Sequence, residues 1–454
     1  PAAAIAQEVP AGPLGRALSV FAARAGVALT FDPALTEGLS SPGLKGSYSV
    51  QEGFDRLLEG SGLEAVARAD GYTLRQRPAA PRPAAAVTQP VELSSVVVVG
   101  SRTPQQISEI PGTVWVVDQQ QIEAQTRAGV PLKEMLGILV PGLDIGPQGR
   151  TNYGQNMRGR GVLVMIDGVS LNSSRGISRQ FDAIDPFNIE RIEVLSGASA
   201  VYGGGATGGI INIITKRAHD PALAFSSEIG VRSGLRHSDD HDLRVAQSVS
   251  GGSEAVRGRL GVSLQQNGAA YGADNEQIRT DITQTDLQYN RTLDVLGTVD
   301  ISLPAEQSLR LSAQYYDSGF NGDKALYLGP NLSGALGNPA LLEMRKGFSS
   351  DVEPATERRM ATADYHAPDV AGGQDLYVQL YAREEKMDFY PFPSRITVPG
   401  MGSLNYYGSS QQNTDDTGLK LAPARSWQRF SVTYGLDLNR EKFDARQALF
   451  DTAT

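Results

Sequence analysis

From Ala222 onward the chain alternates. Val256, Gly258, Leu260, Val262 and Leu264 are interleaved with Arg257, Arg259, Gly261, Ser263 and Gln265; Leu309, Leu311, Ala313 and Tyr315 with Arg310, Ser312, Gln314 and Tyr316; Phe430, Val432, Tyr434, Leu436 and Leu438 with Ser431, Thr433, Gly435, Asp437 and Asn439. A period of two belongs to the pleated strand, whose successive side chains point to opposite faces. Each strand then has one apolar face and one carrying Arg, Asp and amides. Two architectures satisfy that pattern: a barrel with lipid outside and a polar lumen inside, or a soluble β-sandwich with its polar face outward. Alternation alone does not separate them. The chain has no run of about 18 apolar residues, so a membrane crossing must use strands.

Composition sets outer bounds. A length of 454 residues suits several domains, and 50 glycines suit a turn-rich β protein. A net charge of −9 argues against nucleic acid as the principal partner. With no cysteine, disulfides and thiolate metal sites are excluded. The opening Pro1-Ala2-Ala3-Ala4-Ile5-Ala6-Gln7 is compatible with the remnant of a processed signal peptide.

Before the alternation the chain has a different texture. Val9 to Gln76 reads as a small α+β domain. Leu14, Leu18, Phe21 and Ala25 share a helical face entered at Pro13 and stopped by Gly26, and Val27 to Phe31 is a short strand. Val50, Phe54, Leu57 and Leu58 mark a second helix, and Val66 to Leu74 a hairpin turned at Asp70-Gly71. Residues 78–86 are a Pro/Ala linker, extended by its prolines. Then comes a strand-ready run of four valines, Val96 to Val99, which invites pairing by another strand. Pro131 opens a helix carrying Leu132, Met135, Leu136 and Leu139, and residues 161–169 read as two strands turned at Asp167-Gly168. Ile192 to Leu195 and Ile210 to Ile214 are β-branched enough to be buried strands. Between them, residues 203–208 satisfy the dinucleotide pattern G-x-G-x-x-G, but that motif must open a helix and the next run is strand-like, so it is rejected.

The segment NIERIEVLSGASAVYGGGATGGIINIITK, residues 188–216, closely resembles the end of the plug domain of TonB-dependent outer-membrane receptors, which import iron chelates or vitamins through a plugged barrel. The phrase VPAGPLGRALSVFAARAGVALTFDPAL, with LKGSYSVQEGFDRLLEGSGL after it, resembles the short N-terminal signalling domain of TonB-dependent transducers, which secretins share. The block from Asn156 to Val194 is similar to receptors for ferric aerobactin and related citrate–hydroxamate siderophores, notably in LNSSR, SRQ and DPFNIERIEV. Receptors of that type often lack the signalling domain, so ferric citrate and other hydroxamates stay in play, with haem and cobalamin as rivals within the class.

The resemblance implies an α+β signalling domain over 1–77, a linker over 78–91, a TonB box region over 92–100, an α/β plug over 101–221 and an antiparallel transmembrane β-barrel from 222 to 454. Plugged barrels have about 22 strands, so this chain is expected to carry complete front domains and about half a barrel. The resemblance also implies the outer membrane and its lipid as the setting, the N-terminal domain in the periplasm, a ferric siderophore as ligand, TonB and an anti-sigma factor as partners, and no enzymatic activity. TonB would pair as an added strand with Leu93, Ser94, Ser95, Val96, Val97, Val98 and Val99. Two polar loops, residues 146–156 and 171–182, are expected to face outward. Arg150, Tyr153, Asn156, Arg175, Arg179 and Gln180 are their candidate ligand contacts, since guanidinium groups stay charged and fork onto anionic chelates. Arg158 and Arg160 are expected to pair with the barrel instead. The run His237-Ser238-Asp239-Asp240-His241-Asp242 has ligand-type residues, yet lies where a polar turn is expected. No cofactor is expected, because iron would arrive already chelated. A passive porin needs neither the valine run nor a plug, and a secretin-like assembly subunit would share only the first domain.

Overall fold

The structure is a computed structural model that describes residues 5–25, 27–31, 35–68, 71–76, 97–98, 105–106, 113–146, 151, 154–176, 178–198, 205–281, 287–347, 352–370, 372–427 and 430–451. It divides into two compact units, Pro1–Glu92 and Leu93–Thr454.

In the first unit, helices Leu14–Ala25 and Val50–Leu57 pack beside a three-stranded sheet. Its central strand, Gly71–Gln76, runs parallel to Leu29–Thr30 and antiparallel to Leu63–Arg68. The hairpin expected from the sequence is present, while its Asp70 turn lies outside the described residues. Leu14, Leu18, Phe21 and Phe54 are fully buried, and the two phenyl rings meet edge to face at 5.0 Å. Gly53 makes this approach possible, because a Cβ there would stand 2.0 Å from the Phe21 ring. Ser49 and Glu52 close the second helix with a reciprocal capping box.

The second unit begins with a five-stranded sheet in the order Thr113–Val117, Ile189–Ser196, Gly209–Thr215, Val162–Ile166, Val169–Ser170. Both β-branched runs are strands, and Gly209–Thr215 is buried along its whole length. A strand rather than a helix therefore follows the glycine motif, as its rejection required. Asp167 and Gly168 both adopt positive φ, 46° and 81°, at the tight turn read from the sequence. Asp167 then caps the sheet by accepting from Thr215 N at 3.0 Å and Thr215 Oγ1 at 2.6 Å. Helix Leu132–Leu139 forms as expected, with Pro131 as its N-cap. Helix Gln119–Arg127 went unread because only Ile122 on it is buried.

The alternating region is one ten-stranded antiparallel sheet: β1 (Ala224–Arg232), β2 (Asp242–Gly252), β3 (Val256–Gln266), β4 (Asn290–Ser302), β5 (Ser308–Phe320), β6 (Ala355–Val370), β7 (Gln374–Val398), β8 (Gly402–Trp427), β9 (Phe430–Thr433) and β10 (Leu436–Asp451). Residues 430–439 read as one strand in the sequence but form the ends of two. The break at Tyr434-Gly435 falls opposite Pro423 and Ala422 in the β8 register, and Pro423 has no amide hydrogen to give the ladder. Up to β7 the connections alternate in length: β2 and β3, β4 and β5, and β6 and β7 are joined by short stretches at one end, and β1 and β2, β3 and β4, and β5 and β6 by long ones at the other, while the long strands β7 and β8 meet in a tight turn at residues 399–401. That asymmetry is the pattern of outer-membrane barrels, whose long loops face outward.

The faces decide between the two architectures. Arg259 and Gln314 are 7% and 4% exposed, while Leu260 and Leu311 are 48% and 41% exposed. Polar residues point in against the plug and apolar ones point out, the reverse of a soluble sandwich. Among the described residues no helix is long and apolar enough to cross a membrane.

Candidate functional site

The inward face of the sheet grips the plug along residues 167–188. Gln379 donates to Asp167 O at 2.9 Å, Lys420 to Gly168 O, Arg383 to Leu171 O at 3.1 Å and Arg358 to Ala183 O. Further along, Arg259 reaches Asn188 Oδ1 at 3.0 Å, and Arg244 donates to both carboxylate oxygens of Asp185. Asp294 accepts from Asp185 N at 2.9 Å and from Asn188 Nδ2 at 3.0 Å. The Asp-Pro-Phe-Asn sequence is thus the plug's main hold on the wall, its Asp185 also accepting from Phe187 N.

Charge concentrates where the seam is driest. Arg358 lies 3.6 Å from Glu385, Arg383 lies 3.6 Å from the same carboxylate, and Arg383 lies 3.8 Å from Asp416, with all four side chains fully buried or nearly so. Sequence reasoning did not single these residues out. Their signal was present as charges on the polar face of period-two strands, but nothing local says which of them meet a plug.

The predicted ligand residues separate into three groups. Arg150 and Tyr153 lie outside the described residues. Arg175 is exposed in the turn Ser173–Gly176, and Asn156 is half-buried, bonded to Asp144 and to Gly159 N. Arg179 and Gln180 were expected in an outward loop, and here the structure differs. Both are buried against β7: Arg179 donates to Asp388 O at 3.1 Å and stacks 4.5 Å from the Phe389 ring, and Gln180 donates to Glu385 at 3.3 Å. Strand β7 supplies partners that no local reading of the loop could foresee. Arg158 and Arg160 are exposed, and among the described residues neither makes an ion pair; the barrel's own arginines hold the seam instead. Of the expected TonB segment, Val97–Val98 pairs with Gln105–Gln106, while Leu93 to Val96 and Val99 lie outside the described residues.

At the long-loop end, Asp239 joins three loops. It accepts from Tyr271 at 2.8 Å, Lys324 at 3.0 Å and Tyr289 at 3.4 Å, and His237 stacks on Tyr271 at 4.1 Å. Burial alone would raise the Asp239 carboxyl, but the bonds from Lys324 and Tyr271 outweigh it and hold the group below its ordinary range. Burial and the bond to Asp239 push the Tyr271 phenol up to about 12. Asp240 meanwhile accepts from Gly234 N and Arg236 N. The His/Asp run is therefore a loop staple, and no metal-type cluster occurs among the described residues. Beside it opens a cleft of about 810 Å³ bordered by Arg232, His241, Tyr271 and Arg279.

A model of the TonB-dependent receptor plug domain matches residues 106–210, and one of the secretin and TonB N-terminus short domain matches residues 29–77. The chain belongs to the TonB-dependent receptor family. This receptor is 42% identical over 374 residues to a ferric aerobactin receptor of Klebsiella pneumoniae, covering 82% of this chain and 50% of that protein. It is 44% identical over 363 residues to a rhizobactin receptor of Rhizobium meliloti, covering 79% of this chain and 48% of that one. The chain spans about half the length of the curated relatives it matches. The ferripyoverdine receptor of the outer membrane of Pseudomonas aeruginosa, bound to ferripyoverdine, has the same fold at 18% identity and a TM-score of 0.53, covering 98% of this chain and 56% of that one. The relatives are receptors and transporters, and the family is one of the outer membrane.

Proposed function

We propose that this receptor imports a ferric citrate–hydroxamate siderophore of the aerobactin type and reports its occupancy to a periplasmic anti-sigma regulator. The observation carrying the reading is the identity above 40% with receptors named for aerobactin and rhizobactin, running through both plug and barrel. The chemistry of the outward loops supports it. Arg175 on the plug and Arg279 at the loop cleft supply fixed positive charge for an anionic chelate, while Arg232 is held by Asp242. The iron arrives fully coordinated by its chelator, so the protein supplies no metal ligands and catalyses no bond change. TonB takes the segment from Leu93 to Val99 as an added strand, and residues 1–77 face the periplasm.

The test is a fluorescence titration of the full-length receptor in detergent with ferric aerobactin, ferric citrate and cyanocobalamin, repeated with Arg175→Ala. Preferential, Arg175-dependent binding of ferric aerobactin is the expected result. Equal or absent binding of ferric aerobactin overturns the substrate class. Deleting residues 92–99 is expected to abolish uptake while leaving binding intact, which a passive porin would not show.

A further inference from the structure

The first unit offers a partner no apolar patch. Among its described residues no large hydrophobic side chain is exposed, so recognition there has to be polar or through the main chain. Its three-stranded sheet ends on strand Leu63–Arg68, which pairs with Gly71–Gln76 on one side only. Arg68 and Gly71 face each other across the tight turn, so Glu64, Val66 and Arg68 direct their main-chain groups at the neighbouring strand. Leu63, Ala65 and Ala67 therefore turn theirs to the open side. Two hydrogen bonds confirm that direction: Gln51 Nε2 donates to Ala65 O at 3.2 Å, and Leu63 N donates to Ser61 Oγ at 3.2 Å. Among the described residues nothing meets Ala65 N or either main-chain group of Ala67. Edges of this kind are ordinarily blunted by proline, a bulge or a cover. This one has no proline, keeps an unbroken register and carries only short side chains at 65 and 67.

Gln51 marks what the edge lacks. Its amide gives Ala65 O the hydrogen that the N–H of a fourth strand would give, and it is shared with Asp55 Oδ1 at 3.1 Å. Asp55, one helical turn beyond Gln51 on Val50–Leu57, is thereby held beside the edge. It is exposed, and among the described residues no cation pairs with it, whereas nearby Glu59 has Arg56 at 3.7 Å. An added strand supplies the missing main-chain partners, and a basic side chain on that strand complements Asp55.

We propose that the edge Leu63–Arg68 receives an extended, basic strand of the periplasmic anti-sigma regulator, which displaces the Gln51 amide and sets a lysine or arginine on Asp55. The inference rests on the signalling reading of this receptor and locates the contact which that reading leaves open.

The regulator is defined by deletion, as the protein whose loss makes transcription of the receptor gene independent of ferric aerobactin. Its periplasmic region is then titrated against the full-length receptor in nanodiscs by thermophoresis. Ala67→Pro removes an outward N–H that has no partner within the domain, and is expected to weaken binding roughly tenfold, about the worth of one hydrogen bond. Asp55→Lys, on the helix and outside the sheet, should weaken it comparably, and the wild-type affinity should fall with added salt. Gln51→Ala, which clears the edge, should bind at least as tightly as wild type. Wild-type affinity in either Ala67→Pro or Asp55→Lys overturns the proposal, as does weaker binding by Gln51→Ala or a photocrosslinker at position 67 that captures the receptor itself in place of the regulator. Ferric aerobactin binding and chemical denaturation of the first unit are read on each variant. Should Ala67→Pro unfold that unit, Asp55→Lys decides alone. A wild type whose gene ignores every chelate it binds overturns the signalling reading, whereas one that responds while both variants bind normally overturns only the added strand.

Discussion

Arg383 and Arg358 set the energetics of the plug seam one side chain at a time. Both share Glu385, and Arg383 also faces Asp416. Removing one member of a buried charge group strands the others in a dry site, at a cost of about 3–5 kcal/mol. Arg383→Met is therefore expected to lower the thermal unfolding midpoint of the receptor in detergent strongly. Arg75→Ala, which breaks a largely exposed pair with Glu64 in the first unit, should cost at most about 1 kcal/mol and barely move it. At Gly53 the consequence is steric. A methyl there meets the Phe21 ring at 2.0 Å, so Gly53→Ala is expected to destabilise the first unit by about 1–3 kcal/mol in chemical denaturation. Little of this residue-scale detail was legible beforehand. Arg179 and Gln180 lie in a stretch of Ser, Arg and Gly that reads as solvent-exposed, and only Asp388, Phe389 and Glu385 from a strand two hundred positions away make it an interior one.

Elements were far easier to read. Wherever one face is buried and the other is not, periodicity names the element: Leu14, Leu18 and Phe21 on a helix, and Leu260, Val262 and Leu264 on a strand. Helix Gln119–Arg127 escaped because a helix with one buried residue has no stripe, and the ladder break at Tyr434 escaped because its cause, Pro423, sits on the neighbouring strand. The loop staple carries an element-scale prediction. Asp239 is held below its ordinary range, so its contribution is complete above that range, near pH 3.9, and is lost as pH falls through the lowered value. Proteolytic protection of residues 233–241 and 267–281 is expected to hold from pH 5 to 8 (roughly the span over which only histidine titrates) and to fail in stronger acid. Asp239→Asn should abolish that protection at neutral pH.

At the scale of the whole molecule, polar residues inside and apolar residues outside turn an ambiguous alternation into a wall around a plug. Sequence pattern supplied the two faces but not which one was in. The plug sheet, packed beneath the inward residues, resolves it. In whole-receptor terms, chelate binding is expected to survive loss of the segment from Leu93 to Val99 and to weaken with Arg175→Ala, as titration of both variants will show.

One property of the seam reaches further. Gln379, Lys420, Arg383 and Arg358 all donate to main-chain carbonyls of the plug, at Asp167, Gly168, Leu171 and Ala183. A carbonyl is the same whatever residue bears it, so at these points the wall recognises the path of the chain and ignores its spelling. The exposed turn Ser173–Gly176 is consequently free to drift in sequence under selection for new cargo without losing its seat, whereas a plug taken from a relative should fit this wall only if it keeps the side chains that the wall does spell out, at Arg179, Gln180, Asp185 and Asn188.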